Sequence, residues 1–241
     1  MKKKWLIYLG FFAALLVVFY IFLFKLMGPY HSNLAVINDH VPDFSFTSQD
    51  GKQVTPREVE GKVYVAEYFF TTCKGICPKM NANMRRVYDA YKNEPDFAIL
   101  SHTCMPETDS VPLMKAYEQK MLNGTVKKKA DGSYWLDEAP AAANLKANNW
   151  FFLTGDKREL YSMARKGYVI DDNRRDTMQK MSDQFLHTQF FSLVDKQRRV
   201  RGIYDGTKSS EVDKMIADIK DLMKEKANKS NFLGNMGNTP N

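Results

Sequence analysis

The sequence predicts an α/β fold in which a central mixed sheet is flanked by helices, with an N-terminal β-hairpin and one N-terminal transmembrane helix. Three observations lead to this prediction. A long apolar run opens the chain, short strand-like apolar runs then alternate with amphipathic helical segments, and a strand pair followed by a helix closes it. With 241 residues, the chain is long enough for one folded domain with appendages.

The N-terminal segment has the composition of a membrane anchor. Three consecutive lysines precede Trp5–Phe24, and no residue of that run is charged. A helix of this length spans about 30 Å, the thickness of a bilayer's hydrocarbon core. We therefore expect residues 1–27 to form a single-pass anchor, with the N-terminus in the cytoplasm and the chain outside from about residue 28. The alternative is a cleaved signal peptide, which shares the basic start but has a shorter apolar region.

The rest of the chain divides by composition. Residues 28–40 read as a polar linker, 41–227 as the folded domain with an insertion at 122–148, and the Asn-rich residues 228–241 as a disordered tail. The formal net charge is +7, and part of it belongs to the anchor. The remaining positive excess is small and scattered, which argues against nucleic-acid binding.

The elements of the domain follow in order. Val41–Phe46 alternates apolar and polar residues and predicts a strand, which pairs with a return strand starting at Gln53 to make the N-terminal hairpin. The other predicted elements are strands at 63–70, 97–101 and 150–153, helices at 78–92, 111–121 and 156–166, a hairpin of 189–194 with 200–204, and a closing helix at 209–226. Two apolar strands joined by a helix make a right-handed unit with parallel strands. This order is that of a thioredoxin-like fold.

Two thiols follow the first buried strand of this unit. Cys73 and Cys77 are separated by three residues, and Pro78 suits the first position of a helix. Since helix N-termini favour anions, we expect both thiols to ionise more easily than free cysteine. Ionised thiols exchange disulfides or bind a soft metal. With Cys104, the number of cysteines is odd, so at least one thiol is spare or functional.

One histidine precedes the final hairpin. Thioredoxin-like oxidoreductases normally carry C-x-x-C and a proline directly before that hairpin, whereas this chain has three residues between its cysteines and, in place of the proline, His187. Two thiolates and one imidazole make a three-coordinate soft site, which suits Cu(I) and can hold Cu(II). Zinc prefers a fourth ligand.

With these residues in place, the chain resembles the Sco/SenC family of membrane-anchored copper-binding proteins. The matching motifs are Val41–Phe44, Phe69–Pro78, Pro106–Ser110, Phe152–Gly155 and His187–Thr188, within a resemblance that covers about residues 40–225. The chain departs from the family where Met105 replaces the usual Asp before Pro106, and in the extra segment 122–148.

The resemblance implies a metallochaperone rather than an enzyme. Its cargo is copper, as Cu(I) and also Cu(II), and the ligands carried over from the family are Cys73, Cys77 and His187. The implied partners are the Cu(A)-bearing subunit of cytochrome c oxidase, a copper donor protein, a thiol reductant and the membrane through residues 5–24. From the sequence itself, the N-terminal charges place the domain outside the cytoplasm, and the missing organellar presequence favours a bacterial inner membrane with the domain in the periplasm, an oxidising compartment.

Several alternatives remain open. Cys73 and Cys77 alone suffice for a thiol–disulfide reductase that keeps the Cu(A) cysteines of the oxidase reduced, or for a structural disulfide. A peroxidase is less favoured, because the proline that normally precedes such sites is absent before Thr71. Cys104 is interpreted as a buried free thiol rather than a member of the site. Helical spacing assigns Met80 and Met84 to the core, and Lys127–Lys129 are interpreted as a solvated turn.

Overall fold

The computed structural model describes residues 2–27, 30–73, 75–137, 143–171 and 188–226. The chain divides into two compact units, Met1–His31 and Ser32–Asn241. The predicted tail at 228–241 lies outside the described residues, as does His187.

The first unit is a single helix. This helix, α1, spans Lys2–Met27, and large apolar side chains between Trp5 and Phe22 are exposed. Among the described residues, no helix combines the length and the apolar character needed to cross a membrane. The predicted helix is therefore present, but the prediction that Trp5–Phe24 spans a membrane is not supported.

The second unit is built on a mixed sheet. Among the described residues, seven strands form this sheet, in the order β2-β1-β7-β4-β3-β8-β9. The strands are β1 (Phe46–Ser48), β2 (Gln53–Val54), β3 (Val63–Phe69), β4 (Phe97–Thr103), β7 (Trp150–Thr154), β8 (Phe190–Val194) and β9 (Val200–Asp205), and β5 (Thr125–Lys128) and β6 (Tyr134–Asp137) form a separate hairpin. β3 and β7 both run parallel to β4, and the other neighbours are antiparallel. The predicted mixed sheet with a parallel β3–helix–β4 unit is confirmed.

Helices cover both faces of the sheet. They are α2 (Cys77–Tyr91), α3 (Val111–Asn123), α4 (Lys157–Ser162), which continues as a π-helix over Met163–Gly167, and α5 (Ser209–Met223). Because alternate residues of a strand face opposite sides, Val65 packs in the core under α2, α3 and α5, whereas Tyr64 packs in the core under α4. Burial of apolar area on both faces is the main stabilising contribution.

Two predicted boundaries were wrong in detail. The predicted strand Val41–Phe46 enters the sheet only at Phe46, although Val41 and Phe44 are buried. The alternation there reflects burial without strand pairing, since β1 pairs with β2 from Phe46 and with β7 from Thr47. The predicted helix 156–166 begins after Asp156, whose carboxylate accepts the first free backbone N–H groups of α4.

The segment 122–148, predicted to be an insertion without periodicity, contains the β5–β6 hairpin. Lys127 and Lys128 therefore lie in a strand, and the prediction that they form a solvated turn was wrong. The turn itself follows Lys129, whose N–H donates to the Ser133 carbonyl at 2.8 Å, and Gly132 has positive φ. An Asp-Gly pair between two short runs is a known hairpin signal, so the sequence did contain this information.

Candidate thiol and metal site

The two thiols lie where β3 meets α2. β3 ends at Phe69, the Cys73 N–H donates to the Phe70 carbonyl at 3.2 Å, and α2 begins at Cys77. β3 and β4 are parallel, so this is the carboxyl edge of the sheet, where open α/β sheets place their ligands. The predicted position of the thiols is confirmed.

Cys73 and Cys77 are close together but differ in exposure. Both are free, and Cys73 lies close enough to Cys77 to raise the pKa of its thiol. Cys73 is half-buried, whereas Cys77 is only 5% exposed. The structure is thus that of a dithiol with one accessible and one covered sulfur.

The expectation of easier ionisation was wrong for Cys77. Burial raises the pKa of the Cys77 thiol, and the hydrogen bond and charge of Cys73 raise it further. The helix N-terminus does favour an anion at this position. Desolvation nevertheless dominates, because Cys77 faces the core beneath the first turn of α2 rather than solvent.

A buried carboxylate holds the thiol loop to the neighbouring strand. Asp109, 2% exposed, accepts the hydroxyl of Thr71 at 2.6 Å and its backbone N–H at 3.3 Å. The same carboxylate accepts the hydroxyl of Thr103, the last residue of β4, at 2.5 Å. Asp109 therefore fixes the backbone two residues before Cys73, and this role could not be predicted from the sequence because Thr71 is 38 residues away in the chain.

A second buried carboxyl lies behind the thiols. Glu67, on β3, accepts the Ser101 hydroxyl at 2.6 Å, and Ser101 in turn accepts the indole N–H of Trp150 at 2.8 Å. Complete burial raises the pKa of Glu67 to about 8, and its charge raises the pKa of Cys77. In the sequence, Glu67 is one polar residue within an apolar strand. That interruption was the only indication that a buried carboxyl lies near the thiols.

The third thiol is buried beside the same loop. Cys104 is free and 4% exposed, and its backbone N–H donates to the Phe69 carbonyl at 2.8 Å. Burial raises its pKa, and the charges of Asp109 and Cys73 add to this, so Cys104 lies within electrostatic range of the site. The prediction of a buried free thiol is confirmed, as is the core position of Met80 and Met84.

His187 lies outside the described residues, so the structure does not test whether it joins the thiols. Thr188, which follows it, is buried, and its hydroxyl donates to the Ile170 carbonyl at 2.6 Å. Within the described ranges, no group of three or more His, Cys, Asp or Glu side chains is placed to hold a metal ion. The three-ligand set of Cys73, Cys77 and His187 therefore stays a prediction.

Comparison with known proteins decides the family. The SCO1/SenC family model matches residues 35–224, well over half of the chain. The chain belongs to the SCO1/SenC family. The resemblance inferred from the sequence motifs is thereby confirmed.

Individual Sco proteins agree with this assignment. The SCO1 protein homolog of Bacillus subtilis (strain 168) is 30% identical over 188 residues, which cover 76% of this chain and 83% of that protein. A SCO1/SenC family lipoprotein from Bacillus anthracis has a crystal structure with a TM-score of 0.59 and 26% identity, covering 78% of this chain and 96% of that one.

A third similar structure is BsSco, described as a member of the Sco family of cytochrome c oxidase assembly proteins, in work that identified a disulfide switch. It has a TM-score of 0.58 and 28% identity, and covers 79% of this chain and 96% of its own. The Sco fold of this chain therefore carries its thiols in the same overall architecture as these proteins.

Proposed function

We propose that this Sco protein is a copper metallochaperone that binds copper through Cys73, Cys77 and His187 and delivers it to the Cu(A) site of cytochrome c oxidase during assembly. The observation that supports this function most strongly is the pair of free thiols, Cys73 and Cys77, at the carboxyl edge of a Sco domain. BsSco, a similar protein, is described as belonging to a family of cytochrome c oxidase assembly proteins.

The chemistry of the donors fits this cargo. Thiolates are soft ligands that favour Cu(I), and a neutral imidazole completes a three-coordinate set that suits Cu(I) and tolerates Cu(II). Both thiols lose their protons when the metal binds. Delivery follows by ligand exchange, in which thiolates of the acceptor replace the ligands of the chaperone one at a time. A copper donor protein loads the site, and a thiol reductant keeps Cys73 and Cys77 in the dithiol form.

The deciding experiment is a Cu(I) titration of the reduced full-length chain in competition with a Cu(I) chelator. We expect one copper per chain, and we expect His187→Ala to weaken binding about tenfold or more, since it removes one of three ligands. His40→Ala is the matched control, because His40 is exposed and far from the thiols in the sequence. If His187→Ala bound copper as tightly as the parent, the three-ligand site would be wrong.

A second candidate function is a thiol–disulfide reductase that keeps the Cu(A) cysteines reduced. The unequal exposure of the two thiols favours it, because an accessible Cys73 can attack while a covered Cys77 resolves. The Cys73 thiolate attacks the acceptor disulfide and releases one acceptor thiolate. Cys77 then attacks the Cys73 sulfur, which frees the second acceptor thiol and leaves a Cys73–Cys77 disulfide. The acceptor gains two electrons and this chain loses two.

The two functions can be separated with Cys77→Ser. A reductase with this substitution accumulates a mixed disulfide between Cys73 and the acceptor, detectable on a non-reducing gel, whereas a pure metallochaperone loses copper affinity without trapping the acceptor. Cys104→Ser serves as the control, since Cys104 is buried outside the pair.

We further propose that the protein associates with a membrane through α1. The apolar side chains of α1 from Trp5 to Phe22 are exposed, and the similar Bacillus anthracis protein is described as a lipoprotein. Co-sedimentation with lipid vesicles tests this. The full chain is expected to sediment with the vesicles, and a fragment beginning at Ser32 to stay in the supernatant.

A further inference from the structure

The β5–β6 hairpin has a face that the copper function leaves unexplained. In its register, Val126 pairs with Leu136 and Lys127 pairs with Trp135. Neighbouring residues of a strand point to opposite faces. Leu136 is buried and Val126 packs against the core, so Lys127 and Trp135 share the face that points away from the domain.

The hairpin is attached firmly to the helix that carries Cys77. Tyr134, on β6, packs against the same core as α2, and the guanidinium of Arg86 lies 3.9 Å from the centre of its ring. Arg85 of α2 donates to three backbone carbonyls directly before β5, namely those of Met121, Leu122 and Gly124. A molecule bound to the hairpin is therefore held in a defined position relative to α2.

The outward face combines one aromatic ring with two lysines. The Lys129 ammonium lies 4.3 Å from the centre of the Trp135 ring, and Lys127, 65% exposed on its side chain, is directly across from Trp135. Residues 120–137 contain four lysines and two aspartates. One of those aspartates, Asp137, is paired with Lys127 at 2.5 Å.

Positive charge surrounds the turn of the hairpin and continues on the first turn of α2. The hydroxyl and N–H of Ser133 lower the pKa of Asp131, and the charges of Lys129 and Lys79 lower it further. Lys79 is exposed in the first turn of α2, two residues after Cys77. Between the two cysteines, Ile76 is 42% exposed. Because the hairpin packs on α2 through Arg86 and Tyr134, and α2 begins at Cys77, the basic face and the thiol loop adjoin the same helix.

We propose that Lys79, Lys127, Lys129 and Trp135 form a docking surface for an acidic patch on the protein that receives copper. This inference rests on the proposed function and adds the recognition surface to it. Positive charge steers an oppositely charged partner during encounter, and an aromatic ring at the centre of the surface provides an anchor. Docking here brings the acceptor's thiolates to the edge that holds Cys73.

A protein partner fits this surface better than a lipid one. Interfacial membrane segments present a broad apolar face with several large side chains. Here a single half-buried tryptophan is partly covered by Lys129, so little apolar surface is available to enter a bilayer.

The test compares two double charge reversals in the full chain, kept in detergent micelles. Lys127→Glu/Lys129→Glu alters the docking surface, and Lys52→Glu/Lys220→Glu makes the same charge change at two exposed lysines on other elements. The probe is the soluble, reduced, copper-free Cu(A) domain of the oxidase. Its affinity for the copper-free chain is measured by calorimetry at low and high ionic strength, and Cu(I) transfer is followed by stopped flow.

At low ionic strength, we expect the hairpin variant to bind the Cu(A) domain about tenfold more weakly than the parent and to transfer Cu(I) about tenfold more slowly. Both its affinity and its transfer rate should depend less on salt than those of the parent. The control variant should stay within about twofold of the parent, and both variants should keep the parent's own Cu(I) affinity. Trp135→Ala should weaken docking at low and high salt alike, because it removes the uncharged anchor.

Equal binding by the hairpin and control variants would overturn the proposal, and so would a parent chain that does not bind the Cu(A) domain at all. A hairpin variant that loses binding only to phosphatidylserine vesicles would overturn it in favour of a lipid surface. Failure of the parent to bind Cu(I) is a separate result: it refutes the copper function, while the affinity of the copper-free chain still decides whether docking occurs.

Discussion

Asp109 shows how a residue that contacts no cargo can control a binding site. A carboxylate accepts several hydrogen bonds at once, and this one joins the Thr71 backbone and hydroxyl to the end of β4 at Thr103. Hydrogen bonds to an ionised, buried acceptor are stronger than those between neutral groups. The loop that leads to Cys73 is therefore held in one conformation before any ligand arrives.

Asp109→Asn should loosen this loop. An amide offers one acceptor oxygen where the carboxylate offers two, so one donor is left unsatisfied at a cost of about 1–3 kcal/mol. We expect a lower free energy of unfolding by that amount and a Cu(I) affinity about tenfold weaker, measured by urea denaturation and chelator competition.

Glu58→Gln is the matched control for this prediction. The Glu58 carboxylate accepts the same two kinds of donor, the backbone N–H and the hydroxyl of Thr55, at 2.6 and 2.9 Å. It lies before the start of β3, whereas Asp109 acts beyond the end of β3. We expect Glu58→Gln to cost stability without weakening copper binding, and equal losses of copper affinity in both variants would refute a specific role of Asp109.

His102 makes the stability of the fold depend on pH. Burial lowers the pKa of His102 to about 3, whereas an unfolded histidine titrates near its ordinary value of 6.5. Between these two pKa values, His102 is therefore protonated in the unfolded chain and neutral in the folded chain. The stability contributed by neutral His102 is complete above about pH 6.5 and falls by about 1.4 kcal/mol per pH unit below it, towards pH 3.

This slope can be isolated by substitution. His102→Phe keeps an aromatic ring beside Tyr68 and Phe46, whose centroids lie 5.1 and 5.3 Å from the imidazole. Urea denaturation between pH 7.5 and 5 should show a smaller loss of stability for this variant than for the parent or for His40→Phe. Parallel curves for all three proteins would show that His102 is not the group responsible.

At the scale of residues, the sequence predicted the reactive groups but not their environment. Cys73 and Cys77 follow a strand and precede a proline, and this local pattern placed them correctly. The raised pKa of Cys77 depends on burial by the rest of the domain. Asp109 and Glu67 act through partners 38 and 34 residues away in the chain, and no local pattern encodes such distances.

At the scale of elements, a buried ion cluster beside β9, the last strand of the sheet, joins several elements. Arg201 of β9 donates to Asp195, to Glu225 after α5, and to the Leu34 carbonyl. Glu225 also accepts the Ser32 N–H at 2.6 Å. This single guanidinium therefore connects the final hairpin, the closing helix and the segment that enters the domain.

Arg201→Ala should lower the free energy of unfolding by about 2–3 kcal/mol, because it removes the more deeply buried guanidinium and leaves Arg199 as the remaining cation beside Asp195 and Glu225. Chemical denaturation measures this loss. Lys92→Ala removes an exposed pair with Asp89 and should cost less than about 0.5 kcal/mol. A loss from Arg201→Ala no larger than that of the control would mean that solvent already screens the cluster.

Elements with strong periodicity were predicted well, and short ones were not. β3, β4, α2 and α5 each combine a long apolar pattern with clear ends. β5 and β6 have four residues each, with lysines on β5, so their stability comes from packing on α2 rather than from their own propensity. Strand formation depends on such neighbours more than helix formation does.

At the scale of the molecule, both hydrophobic cores belong to one unit. Every buried residue of the two clusters, from Val41 to Leu222, lies in the unit Ser32–Asn241. The predicted domain starts at about residue 41 and so does not include Leu34 and Asn38. The Leu34 carbonyl accepts the Arg201 side chain, and the Asn38 carbonyl accepts the Val200 N–H, both from β9. These residues cover the edge of the final hairpin and add hydrogen bonds to it.

A fragment beginning at Ser32 should therefore fold and bind copper like the full chain, whereas one beginning at Val41 should be less stable. The shorter fragment loses the hydrogen bonds from Arg201 to the Leu34 carbonyl and from Ile37 and Asn38 to the Val200 carbonyl. At about 0.5–1.5 kcal/mol for each, their loss should lower stability by a few kcal/mol. Since β9 pairs with β8, which meets β3 near its start at Tyr64 rather than at the thiols, both fragments should keep the same Cu(I) affinity while folded. Equal unfolding midpoints for the two fragments would show that residues 32–40 do not belong to the fold.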